Sequence, residues 1–168
     1  MRIVRGGMGA FTLPLLRPLE TAHGPIASRQ GFLVTLEDEA GRRGFGEATP
    51  LPDFGTESLS RCRAALATAL ESLVDASTME LADRWQAALA ACAEAPCARS
   101  AIDGALHDLA SREAECALSD WVRRSAGLHG PAQREICVQA LPRLHPLTTC
   151  SLPTSSCPAL LEFPGRAV

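Results

Sequence analysis

The sequence predicts an α+β fold: a three-stranded antiparallel meander followed by a three- to four-helix bundle, with a disordered C-terminal tail. Three observations carry this reading. Residues 30–47 hold a β-hairpin pattern, apolar residues recur at helical spacing from Glu57 onward, and periodicity is lost beyond Pro142.

The first strand is marked by Ile3, Val4, Met8, Phe11, Leu13 and Leu15, which alternate loosely and stop near Pro18. Glu20 to Arg29 contains Gly24-Pro25 and reads as an irregular loop. In the hairpin, Phe32, Val34 and Leu36 alternate with Leu33, Thr35 and Glu37, Asp38 to Gly41 break the pattern, and Gly44-Phe45-Gly46 resumes an extended run. An apolar residue at Leu33 predicts that this strand meets protein on both faces in part. The next segment, ATPLPDFGTE, is broken by Pro50, Pro52 and Gly55; it predicts a stiff loop that carries Phe54 to the domain edge, with Thr56 as the cap of the following helix. Loops held this way often touch ligands.

Leu59, Cys62 or Arg63, Leu66, Leu70, Leu73 and Val74 then define a first helix. Ser77 and Glu80 form a capping box before a second, carrying Leu81, Trp85, Leu89 and Cys92. Pro96 opens a third, with Ala98, Ile102, Ala105, Leu106 and Leu109 on one face, and a short fourth runs from Leu118 through Trp121 to Ser125 with Gly127 as its stop. Glu135 to Leu141 reads as a short strand.

Composition bounds the function. With 168 residues, 46% apolar and 21% charged, the chain holds one ordinary core and no second complete domain. A net charge of -3 and a pI near 5.8 give no electrostatic case for nucleic acid or an anionic membrane as partner. All 16 basic residues are arginine. Arginine stays protonated, so a lysine base or Schiff base is excluded from this chain. Seven scattered cysteines without a C-x-x-C pair, and no apolar leader, predict reduced thiols in a cytoplasmic protein and no zinc site. No apolar window is long enough to predict a membrane span.

Several polar residues have plain structural readings. Glu37, Asp38 and Glu39 are expected to be solvated turn charges, and Glu47 a hydrogen-bond acceptor at a strand end. His107 is expected at a surface or boundary near Asp103, Asp108 as a tie between its helix and a neighbouring segment, and Trp85 and Trp121 in the core. No G-x-S-x-G is present, and Gly6-Gly7-Met8-Gly9 lacks the Lys-Ser/Thr of a phosphate loop.

The run GFLVTLEDEAGRRGFGEATPLPDFGTES and the segment ARSAIDGALHDLASREAECALSDWV resemble the N-terminal capping domain of the enolase superfamily. Within it they most resemble the muconate-lactonising subgroup and, closest, o-succinylbenzoate synthases. The resemblance covers about residues 3 to 141, and it implies a cap that closes over a (β/α) barrel holding the lysines and metal ligands. In such enzymes Mg²⁺ stabilises an enolate formed by proton abstraction α to a carboxylate, and dehydration follows; the implied setting is menaquinone biosynthesis. Dipeptide epimerase and muconate cycloisomerase share the cap, and a free-standing non-catalytic binding or interaction domain is the reading from another class. The residues expected to line the substrate are His23, Gly24 and Ile26 from the first loop and Phe54, Gly55 and Thr56 from the second. No catalytic or metal residue is expected in this chain, and a small carboxylate would bind only together with a barrel. A barrel needs roughly 200 residues or more. The expected layout is therefore a cap over residues 1–130, a remnant of the first barrel strand over 131–141, and a disordered or frameshifted tail over 142–168, the chain being truncated and inactive alone. A lone cap would expose the apolar surface meant for the barrel and self-associate.

Overall fold

A computed structural model describes residues 1–74 and 81–128. The capping box at Ser77 and Glu80, the strand at 135–141 and the tail lie outside the described residues.

Three strands, β1 (Ile3–Thr21), β2 (Gly24–Asp38) and β3 (Arg43–Ala48), form an antiparallel sheet in the order β1-β2-β3. Four helices follow: α1 (Leu59–Val74), α2 (Leu81–Ala91), α3 (Pro96–Glu113) and α4 (Leu118–Ser125). The α+β reading is thus correct in order and in kind.

Phe32, Val34 and Leu36 turn one face of β2 into the core, where they meet Cys62, Leu66, Leu70 and Leu73 of α1 and Ile102, Leu106 and Leu109 of α3. The opposite face leaves Leu33 and Phe45 exposed, so β2 is covered on one side only, against the expectation from Leu33. Glycines in β3 allow the closest approach in the fold. A Cβ on Gly46 would overlap the Ala101 carbonyl oxygen, and one on Gly44 would lie 2.7 Å from the Leu109 backbone nitrogen. With no side chain at either position, α3 lies directly on the strand.

The segment Glu20 to Arg29 is not an irregular loop. Pairing continues from Leu19–Ile26 through Thr21–Gly24, with the register irregular between Pro14 and Leu19. The hairpin closes at Ala22 and His23, and Gly24 takes φ 106. Thr21 stabilises that turn: its Oγ1 donates to the Gly24 carbonyl at 2.6 Å and accepts the His23 N–H at 3.1 Å. Pro14 and Pro18 are tolerated because β1 is an edge strand.

The helix ends have identifiable causes. Ser58, rather than Thr56, caps α1, its Oγ accepting the Arg61 N–H at 3.2 Å. Buried Arg84 of α2 donates to the Leu73 carbonyl at the end of α1. After α4, Gly127 at φ 66 and Leu128 close back on Arg124 and Arg123, the Schellman arrangement. Trp121 Nε1 donates to His107 Nδ1 at 3.0 Å, and Trp85 Nε1 to Asp103 Oδ1 at 3.0 Å, so both tryptophans sit at helix junctions, partly buried, with a hydrogen bond each.

Candidate functional site

Two segments approach each other at one edge of the sheet. The first is the tip of the β1–β2 hairpin, Ala22 to Ile26; the second is Pro50 to Thr56, which follows β3 and includes a short 3-10 turn, Pro52–Phe54. Their contact is an edge-to-face pair: the His23 and Phe54 rings lie 5.0 Å apart at 75°. Both side chains are exposed, Phe54 by 50%. Of the six residues the sequence marks, the structure brings these two into ring contact. Gly24 and Gly55 shape the backbone at positive φ, 106 and 83. Ile26 is half-buried on β2, and Thr56 is half-buried at the loop's exit.

The second loop closes on itself. Phe54 and Thr56 donate their N–H groups to the Leu51 carbonyl at 2.9 and 3.4 Å, Gly55 donates to Pro52 at 3.0 Å, and the Leu51 N–H donates to Thr56 Oγ1 at 2.6 Å. Thr56 thus serves the loop and not the helix that follows.

Two charged side chains, Arg29 and Glu57, anchor this ring to the scaffold. Arg29 on β2 donates from Nη2 to the Thr49 carbonyl at 2.9 Å, holding the loop's entrance. At the exit, Glu57 is 6% exposed and accepts the Cys97 and Ala98 N–H groups at 3.2 and 2.9 Å, capping α3 in place of Ala95, which makes no side-chain cap. Burial raises the proton affinity of the Glu57 carboxyl, but the N–H groups of Ala98, Glu57 itself and Cys97 outweigh it and hold the group below the usual carboxylate range. Next to it the Cys62 thiol is pushed up to about 12, by burial first and by the Glu57 charge second. Cys62 is therefore a neutral core group and no nucleophile. Sequence reasoning missed Arg29 and Glu57 because their backbone partners lie 20 to 41 residues away, beyond any local pattern.

The other polar residues divide. Asp108 behaves as expected, accepting the Phe45 N–H at 3.0 Å and tying α3 to β3. Glu47 accepts from Thr49 Oγ1 at 2.5 Å at the strand end. His107 is half-buried at the junction of α2, α3 and α4. Asp38 is not a solvated turn charge: it is buried, and it accepts from the Ala40 and Arg42 N–H groups and from Arg42 Nε at 2.7 Å. Burial opposes its ionisation, yet the Arg42 guanidinium and those N–H groups hold the carboxyl below its ordinary range. Arg42 also reaches Glu113 at 3.2 Å, joining the hairpin turn to the end of α3.

Among the described residues no group of three or more His, Cys, Asp or Glu side chains is placed to hold a metal, and both buried carboxylates already serve backbone N–H groups. These residues do not fit Mg²⁺. What the site offers is shape: an aromatic edge, a turn with a histidine, and a rigid backbone ring.

The model of the mandelate racemase / muconate lactonizing enzyme N-terminal domain matches residues 10–122. An L-Lys-D/L-Arg epimerase from Desulforapulum autotrophicum is 31% identical over 116 residues, covering 67% of this chain and 32% of the epimerase. An o-succinylbenzoate synthase from Thermosynechococcus vestitus is 51% identical over 47 residues, 28% of this chain and 15% of the synthase. Among solved structures, a dipeptide epimerase from Methylococcus capsulatus complexed with Mg and the dipeptide L-Arg-D-Lys superposes with a TM-score of 0.64 at 29% identity, covering 71% of this chain and 34% of that one. The chain spans about a third or less of the length of these relatives.

Proposed function

Because the chain belongs through residues 10–122 to the mandelate racemase / muconate lactonizing enzyme family, we propose that it is the capping part of an o-succinylbenzoate synthase-like enzyme, inactive alone. The cap lays the His23 turn and the Phe54 loop over the mouth of a barrel, excludes water and sets the shape of the carboxylate substrate that can enter. Proton abstraction, its Mg²⁺ and the loss of water belong to the barrel, whose base is a lysine that this chain does not contain. The observation that carries this reading is the His23–Phe54 contact, which joins the two loops at one exposed edge. Exposed Leu13, Leu16, Leu19, Leu33 and Phe45 supply apolar surface for docking, and for self-association when no barrel is present.

A second reading, the cap of a dipeptide epimerase, is favoured by the longer match to an epimerase and by the superposition on dipeptide epimerases. One experiment separates the readings. Residues 1–128 replace the whole N-terminal domain of the Thermosynechococcus synthase or of the Methylococcus epimerase, and turnover is measured with Mg²⁺ and the o-succinylbenzoate precursor or a dipeptide. The full chain alone is expected to turn over neither. Activity of the synthase fusion supports the first reading, activity of the epimerase fusion alone supports the second, and turnover by the chain itself contradicts both.

A further inference from the structure

The loop that carries Phe54 is held at both ends by charged side chains. At its entrance Arg29 Nη2 lies 2.9 Å from the Thr49 carbonyl; at its exit buried Glu57 holds the first turn of α3 through the Cys97 and Ala98 N–H groups. Between these points the loop is closed on itself by the Leu51–Thr56 bonds, so its internal shape is fixed and its placement depends on the two ends. Thr49 Oγ1 also donates to Glu47 at the end of β3, and the Cys62 and Cys97 thiols meet Glu57 and Thr56, so Arg29 and Glu57 are the charged members of a small set of ties at the loop's two ends.

We infer that Arg29 and Glu57 are positioning residues for the substrate-contacting loop: acting through backbone groups, they set where Phe54 stands against His23 and so the width of the mouth. The inference rests on the capping role proposed above. Both bonds pair an ionised side chain with a backbone dipole, the stronger class of hydrogen bond, and both are partly or fully shielded from water. Neither residue touches substrate in this reading. Their loss acts on the geometry of binding and leaves the barrel's chemistry in place.

The test has two independent readouts. In the full 168-residue chain, NMR cross-peaks between the His23 and Phe54 ring protons report the contact directly. Arg29→Met and Glu57→Gln are each expected to remove or weaken these cross-peaks while amide peaks of β2 and α3 keep their dispersion. Arg29 is half-buried on β2, beyond the end of its pairing with β3, so Arg29→Met folds even if Glu57→Gln does not. In whichever fusion above is active, the same substitutions are expected to raise KM roughly tenfold with kcat held within about twofold. Cross-peaks at wild-type intensity in a folded Arg29→Met chain overturn the inference, as does an unchanged KM. If neither fusion turns over substrate, the capping role fails, and the ring cross-peaks still decide the positioning claim.

Discussion

Replacing Gly46 with alanine is the sharpest perturbation of the scaffold that presents the site. The added methyl would overlap the Ala101 carbonyl oxygen and stand 2.8 Å from its carbonyl carbon. An unstrained carbon–carbon contact needs roughly 3.5–4.0 Å. The atoms met are helix backbone, so no rotamer change relieves the overlap, and α3 must lift from β3 over the stretch where Asp108 also bonds Phe45. Overpacking of this kind costs about 1–3 kcal/mol when side chains can shift, and a backbone clash belongs at or above about 3 kcal/mol. For a domain of this size that lowers Tm by roughly 10 °C or more. Gly7→Ala is the control: its Cβ meets nothing within 4 Å, and the change is expected to stay within about 0.5 kcal/mol of wild type. Thermal and urea unfolding followed by circular dichroism reads both. A Gly46→Ala chain as stable as Gly7→Ala would refute the close packing of α3 on β3.

Acid should act through Asp38 and Glu57, whose carboxyls are both held below their ordinary range. Groups depressed on folding contribute stability that is fully present above their unfolded pKa, about 4, and that is lost as pH falls through the folded value. The urea midpoint is expected to drop below about pH 4, and less steeply in Asp38→Asn, which starts from lower stability; equal pH slopes would contradict this. Cys62 and Cys92 are buried with raised thiol pKa values, so alkylation mapped by mass spectrometry at pH 8 should label Cys116 well before either of them, and all three equally once the chain is unfolded. Trp121→Phe keeps an aromatic ring but removes the bond to His107, which should cost about 1 kcal/mol and speed amide exchange in α4; unchanged α4 exchange would show that packing alone docks the helix.

Much of the scaffold was legible because its signals are local. Alternation at Phe32, Val34 and Leu36 marks the buried face of β2, Pro96 opens α3, and Gly127 ends α4, each through chemistry confined to a few residues. Local signals also misled. Gly24-Pro25 reads as a loop, yet a two-residue turn with positive φ at Gly24 lets the hairpin run on, and Pro25 is tolerated opposite Glu20 near its end. Asp38 looks like a solvated acid because nothing in its own stretch shows that Arg42 folds back onto it. Of the candidate site, the Pro50 to Thr56 loop was legible; the first segment proved to be a hairpin tip, and its ring contact was hidden, since the length of the β1–β2 hairpin decides whether His23 reaches Phe54. Arg29 and Glu57 were hidden for the same reason: each bonds a backbone group that is near only in the folded chain.

The capping role is tested most directly by Phe54→Ala in the fusion that turns over substrate. Phe54 is half exposed and rests on His23 through its ring, so truncating it changes the mouth and leaves the core intact. The expected result is a KM raised about tenfold or more with an unfolding curve matching the parent fusion. Identical KM and kcat for Phe54→Ala and its parent would show that this edge does not meet the substrate, and would contradict the capping role.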